Sequence, residues 1–246
     1  MNIRLYLGAA TSFLILVMTV GPTFAQQASE FIAAVTGGDV DKVKAMLQQE
    51  PKLVRATDKD GASAILKAVY YRKNAVLDVL LATGVELDIF EASATGKTER
   101  ARTLLRKDPS LANAFAADGF YPLGLAAFFA HKETVELLLN SGAKVETAAR
   151  NQMKVTALHA AAAAQQLEIA RMLVAHGADV NARQQEDFTP LHEAAANGQL
   201  EFAKLLLDHG ADVNLRTAKG KTALSFAMET GQTQVANLLR ERGGIE

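Results

Sequence analysis

Residues Ala94-Thr-Gly-Lys-Thr98 carry the Gly-Lys-Thr end of a phosphate-binding loop. Such a loop cradles phosphate only when another glycine stands five residues before Gly96 and a strand leads in. That position is Glu91, and Ile89 to Ala94 reads as a short helix, so the segment is predicted to be a turn between two helices. The five histidines invite a metal reading, but none forms an i, i+4 pair with another ligand. His159 and His192 lie 33 residues apart, as do His176 and His209, and His131 opens a helix, so a recurring pattern accounts for them. The chain has no cysteine, which excludes a thiolate metal site, a cysteine nucleophile and an iron–sulfur cluster. Neither Gly-x-Ser-x-Gly nor His-Glu-x-x-His occurs. The sequence therefore predicts no catalytic residue, no metal and no other cofactor, and a protein that is not an enzyme. Arg100, Arg102, Arg106 and Lys107 are flanked by Glu99 and Asp108 and form no single stripe, so they read as a solvated helix face. With 26 basic against 27 acidic residues there is no global field for nucleic acid or an anionic membrane.

The elements that would position these residues repeat. Thr156-Ala-Leu-His159, Thr189-Pro-Leu-His192 and Thr222-Ala-Leu-Ser225 place Leu158, Leu191 and Leu224 at intervals of 33. Leu173 to Asn181 and Leu206 to Asn214 end in the same His-Gly-Ala-Asp-Val-Asn. A second period of 58 relates Pro51 to Pro109 and Asp60-Gly61 to Asp118-Gly119, and it divides as 24 plus 34 if Ile89 opens a shortened unit. Seven units follow, near 28–59, 60–85, 86–117, 118–150, 151–185, 186–218 and 219–246. Unit six shows the logic: Thr189 can cap a first helix, Pro190 suits its first position, and Leu191, Ala194 and Ala195 form its apolar stripe. A glycine stops that helix, and a second helix and an extended excursion follow. Neither helix can bury its stripe alone, so neighbours must stack.

This pattern resembles the ankyrin repeat over about residues 28 to 244, most closely in units five and six. The resemblance implies an all-α solenoid of about seven helix-turn-helix units with short β-hairpin fingers. Unit three lacks room for a finger, which predicts a notch there, and unit four has Tyr121 for threonine and Gly124 for histidine. Polar residues at both ends, Lys42 and Gln48 at one and Gln232 and Arg240 at the other, read as caps. The resemblance also implies that finger tips and first helices form a concave face that binds another protein. The variable positions there are Tyr70 and Tyr71, Phe128 and Phe129, with Phe120 and Phe188 before the threonine slot. Five of the twelve aromatics beyond residue 25 fall between Phe115 and Phe129. Aromatic side chains concentrate binding energy, so a protein-binding patch is expected at Phe120, Tyr121, Phe128 and Phe129. Phe188 joins it, with Tyr70 or Tyr71 about 20 Å away, two helix spacings.

Residues 1–25 read separately. Arg4, an apolar run to Val20, Gly21-Pro22 and then Thr23 and Ala25 follow the order of a secretory signal cleaved after Ala25. Leu5 to Val20 falls short of the roughly 20 residues that span a bilayer. Its style predicts a bacterial, periplasmic or secreted monomer, away from the membrane after cleavage, that binds a partner protein without catalysis. Two alternatives remain open: an inhibitor or immunity-type protein capping an exported enzyme or toxin, and a membrane-anchored scaffold if the segment is retained.

Overall fold

The computed structural model describes residues 23–246; the predicted leader up to Pro22 lies outside the described residues. Fourteen α-helices run in seven antiparallel pairs among the described residues. They are α1 (Phe24–Gly37) with α2 (Val40–Gln49), α3 (Ala64–Tyr70) with α4 (Asn74–Ala82), and α5 (Ile89–Ala94) with α6 (Thr98–Lys107). Next come α7 (Pro122–Phe128) with α8 (Lys132–Asn140), and α9 (Ala157–Ala163) with α10 (Leu167–Ala175). The last are α11 (Pro190–Ala196) with α12 (Leu200–Asp208), and α13 (Ala223–Glu229) with α14 (Thr233–Glu241). First helices stack on first helices, and second helices form the other layer. The expected all-α solenoid is therefore what the chain builds. Its fingers are barer than expected: the described residues contain no strand, only isolated bridges at Thr57–Ser63 and Ala148–Thr156. Their arms are too short to extend a ladder beyond one pair.

Local chemistry starts and stops each helix as its residues require. Thr156, Thr189 and Thr222 accept from the backbone of the third helical residue, whose own side chain turns back to the cap. Leu123, Leu158, Leu191 and Leu224 are fully buried, and small neighbours such as Ala127, Ala161, Ala194 and Ala227 let the helices close on one another. The 58-residue period has a structural meaning too. Pro51 and Pro109 each open a 3₁₀ turn, capped by the carboxylates of Glu50 and Asp108.

Polar stitches join each unit to the next. Asn113, Asn181 and Asn214 donate to the carbonyls of Gly142, Gly210 and Gly243 and accept from the amides of Lys144, Asp212 and Ile245. On the finger side, Arg150, Gln185 and Ala218 donate backbone amides to Gly119, Met153 and Glu186. Gly119 has φ +82°, and a Cβ there would lie 2.8 Å from the Arg150 carbonyl carbon, so only glycine permits that approach. Histidines supply a third stitch. His159 Nε2 donates to the Phe188 carbonyl at 3.1 Å, and His192 Nε2 to that of Leu215 at 3.0 Å. A carbonyl can only accept, so Nε2 carries the proton and Nδ1 accepts from the capping threonine.

Unit three departs from this scheme. Only six residues link α4 to α5, so no finger rises between those of units two and four. The predicted notch in the finger row is nonetheless absent, because its neighbours close over the gap. A Cβ on Gly61 would overlap the methyl of Ala117, and Tyr70 donates its hydroxyl to Asp118 Oδ2 at 2.9 Å. The opening lies instead in the second-helix layer, where α4 and α6 are the most loosely packed adjacent pair. There a cleft of about 670 Å³ runs between Leu81, the Gly84–Leu87 linker and the start of α6.

Burial gives the histidine stitches a pH dependence. Burial pushes the His159 imidazole down to about 4 from an ordinary 6.5. As pH falls, the unfolded chain takes up this proton before the folded one does. The folded state is thus fully favoured above about pH 6.5 and loses roughly 3 kcal/mol between there and pH 4. Urea titrations of His159→Gln should show a pH 7.5-to-4.2 stability loss smaller than wild type by about that amount; equal losses would contradict it.

Candidate functional site

Unit four replaces the histidine stitch with an aromatic plug. Tyr121 stands at the cap of α7 but makes no capping bond with its side chain. Its ring is 1% exposed, lies 6.0 Å from that of Phe115, and covers Gly124. A Cβ on Gly124 would sit 3.0 Å from two ring carbons, so the ring fills the space into which a side chain at 124 would project. No side chain from this position of α7 reaches the next finger. A hollow of about 470 Å³ lies here, with Tyr121 and Gly124 in its wall, α7 and α9 on either side and Met153 and Gln184 at the fingers. Among the described residues the Tyr121 hydroxyl has no hydrogen-bond partner, and burial raises its pKa far above the ordinary phenol value.

The structure separates the predicted contact residues. Tyr70, Phe120, Phe128 and Phe129 converge on the hollow. The Tyr70 ring stacks on Phe129 at 6.1 Å and meets Phe120 edge-on at 5.9 Å. That corrects the expected 20 Å separation: α5 is only six residues long, and the missing finger lets unit two reach unit four directly. Burial, and then Asp118, raise the Tyr70 pKa and keep its phenol protonated. Phe128 is 41% exposed and stands edge-on to Phe129 at 5.1 Å. Tyr121 is a correction of another kind, being a core residue that shapes the wall rather than an exposed contact. Tyr71 is exposed but stands outside the hollow, with Lys67 Nζ 5.5 Å above its ring. Phe188 belongs to a separate cluster, 5.6 Å from His192 and 4.9 Å from Phe226.

Met153, 48% exposed, and Glu193, on α11, also line the hollow, and sequence reasoning missed both. Unit-to-unit register could have found Met153, which stands on the finger leading into α9; Glu193 on α11 gave no such signal. The Gly96-Lys97-Thr98 turn lies elsewhere and holds no phosphate cradle. Glu91 is buried in α5, and Thr98 Oγ1 is 2.8 Å from Thr134 Oγ1. Arg100 is spent on the Leu87 carbonyl and on Glu86. Among the described residues, no group of three or more His, Asp or Glu side chains is placed to hold a metal ion.

Fold and site together define a helix-pair repeat solenoid with an aromatic hollow on its first helices and fingers. Two family models of ankyrin repeats match, one over residues 89–184 and one over 173–227, together more than half of the chain. The chain belongs to the ankyrin-repeat family, whose repeats act as protein–protein interaction modules. It is 30% identical over 154 residues to an ankyrin repeat domain-containing protein, SAT10, of Stachybotrys chartarum. It is 32% identical over 143 residues to alpha-latrocrustotoxin-Lt1a of Latrodectus tredecimguttatus. These alignments take in 61% and 58% of this chain but 8% of each relative, so the likeness concerns the repeats alone.

The Tyr121–Gly124 exchange makes a prediction whose sign depends on background. Alanine normally stabilises a helix interior over glycine by about 1 kcal/mol. Gly124→Ala should destabilise the wild-type chain, because the enclosed Tyr121 ring cannot retreat, yet stabilise a Tyr121→Thr chain. Urea midpoints of the four proteins in this cycle decide it; the same sign in both backgrounds would refute the exchange.

Proposed function

We propose that this chain is a non-catalytic, monomeric protein-binding module that works in the periplasm and holds its partner at the aromatic hollow of unit four. The observation that carries this reading is the 470 Å³ hollow, where an exposed Phe128 sits beside a rigid group of half-buried rings. Rings already fixed by stacking lose little freedom when a partner covers them, so most of their contact area counts toward affinity. The rings rest on a small apolar cluster of Leu66, Val69, Ala94 and Leu125, which keeps the patch from collapsing inward. An interaction module fits a site furnished for contact area, in which the one imidazole, His159, is held neutral by burial and is bonded to a carbonyl and a threonine.

Export rests on residues 1–25 of the sequence. Cleavage after Ala25 would remove Thr23, which caps α1 and accepts from the Gln26 amide at 3.3 Å, so the mature protein would begin with the first turn of α1 uncapped. Intact-mass measurement of protein from the periplasmic fraction should give a chain starting at Gln26. A full-length, detergent-requiring product would overturn the export reading in favour of an anchored scaffold.

Affinity capture tests the binding reading. The wild-type protein should retain a discrete partner that Phe128→Ser/Phe129→Ser loses at least tenfold, equivalent to about 1.4 kcal/mol, while helix content is unchanged. Undiminished capture by that folded variant would move the binding face elsewhere.

A further inference from the structure

Charged side chains are scarce on the first helices, and all but one are already committed. Glu30 on α1 pairs with Lys42 at 2.6 Å, Lys67 on α3 with Asp58, and Glu229 on α13 with Lys221 at 2.6 Å. Glu91 on α5 is spent in a capping box with Asp88. The first helices α7 and α9 carry no charge apart from what His159 could acquire. Glu193 on α11 is the exception. It accepts one bond from Asn197 at 2.9 Å, has no cation within ion-pair distance among the described residues, and lines the hollow. The lining contains no lysine or arginine.

The rest of the wall has the same preference. Phe120, Phe128, Phe129 and Tyr70 offer π systems whose negative faces attract cations. The Tyr70 hydroxyl donates to Asp118, which pushes electron density into its ring. Met153 adds a polarizable thioether at the mouth, a surface that adapts to a long aliphatic stem.

We propose that the hollow receives a lysine or arginine side chain of a partner polypeptide, its stem lying against Phe128, Phe129 and Met153 and its charged head paired with Glu193. This rests on the interaction-module reading and specifies the partner's chemistry. A carboxylate that is half-buried and unpaired in the free protein gains a counter-ion only when the partner docks, so the pair contributes to selectivity against neutral or acidic segments.

Random 12-residue peptides displayed on phage and selected on the immobilised full chain test the assignment. The enriched peptides should share a lysine or arginine. Fluorescein-labelled copies should bind about tenfold more weakly to Glu193→Gln and to Phe128→Ser/Phe129→Ser, and within twofold of wild type to Tyr71→Ser. Glutamine at 193 can still accept from Asn197, and circular dichroism verifies that each variant is folded. Peptides that depend on Phe128 and Phe129 but lack a basic residue, or ignore Glu193→Gln, would overturn this inference and leave the protein-binding reading standing. Peptides indifferent to all these variants, or no enrichment at all, would overturn both. Arginine amide binding as tightly as the peptides would assign the hollow to a small cation and overturn the polypeptide source.

Discussion

Every α-helix among the described residues is six to fourteen residues long, too short to persist by itself, and each exposes an apolar stripe that only a neighbouring unit can cover. The structure depends on that mutual cover. Leucine and alanine provide the seam, but apolar contact alone does not set the register of one unit upon the next. Register comes from polar groups: an asparagine amide gripping two backbone groups of the following unit, a finger amide bonded to the preceding finger, and an imidazole reaching a carbonyl across the joint. Each such bond contributes about 1 kcal/mol net, and leaving its buried groups unmet would cost more. The stitches thus act chiefly by penalising every other alignment.

The aromatic hollow is a local suspension of that rule. Where units five and six spend a histidine on the joint, unit four spends a tyrosine on its own interior. Space is thereby left free at the joint. Rigidity around it comes from an unusual direction, since unit two leans across the fingerless unit three and lays Tyr70 against Phe129. A site assembled from units two, four, five and six is thus held by elements that would not be neighbours in a regular array.

Much of the fold was legible because its signals are short-range and repeated. Thr-Pro-Leu-His announces a capped helix start, and the interval of 33 locates the next one without knowledge of the tertiary structure. Tyr121 shows where that legibility ends. Its place in an aromatic cluster suggested a contact residue, and only the glycine one helical turn on reveals that its ring folds inward. Both departures from the pattern were visible in the sequence, but their compensation is a three-dimensional relation between two residues. Glu193 was invisible for a related reason: a glutamate on a helix is ordinary, and it becomes informative only when its fellows are found to be paired. The position of Tyr70 depended on how unit three's missing finger would be accommodated, and a spacing estimate assumes an even stack.

The contact between the fingers of units two and four has a consequence for how the array comes apart. In an ordinary solenoid, stability is a sum over adjacent joints, and an end unit can peel away without disturbing anything beyond its neighbour. Here Gly61 against Ala117 and Tyr70 against Asp118 add a next-nearest-neighbour link that spans unit three. Units two to four thus behave as one cooperative block embedded in an otherwise modular chain, and fraying from the amino-terminal end should halt at its edge.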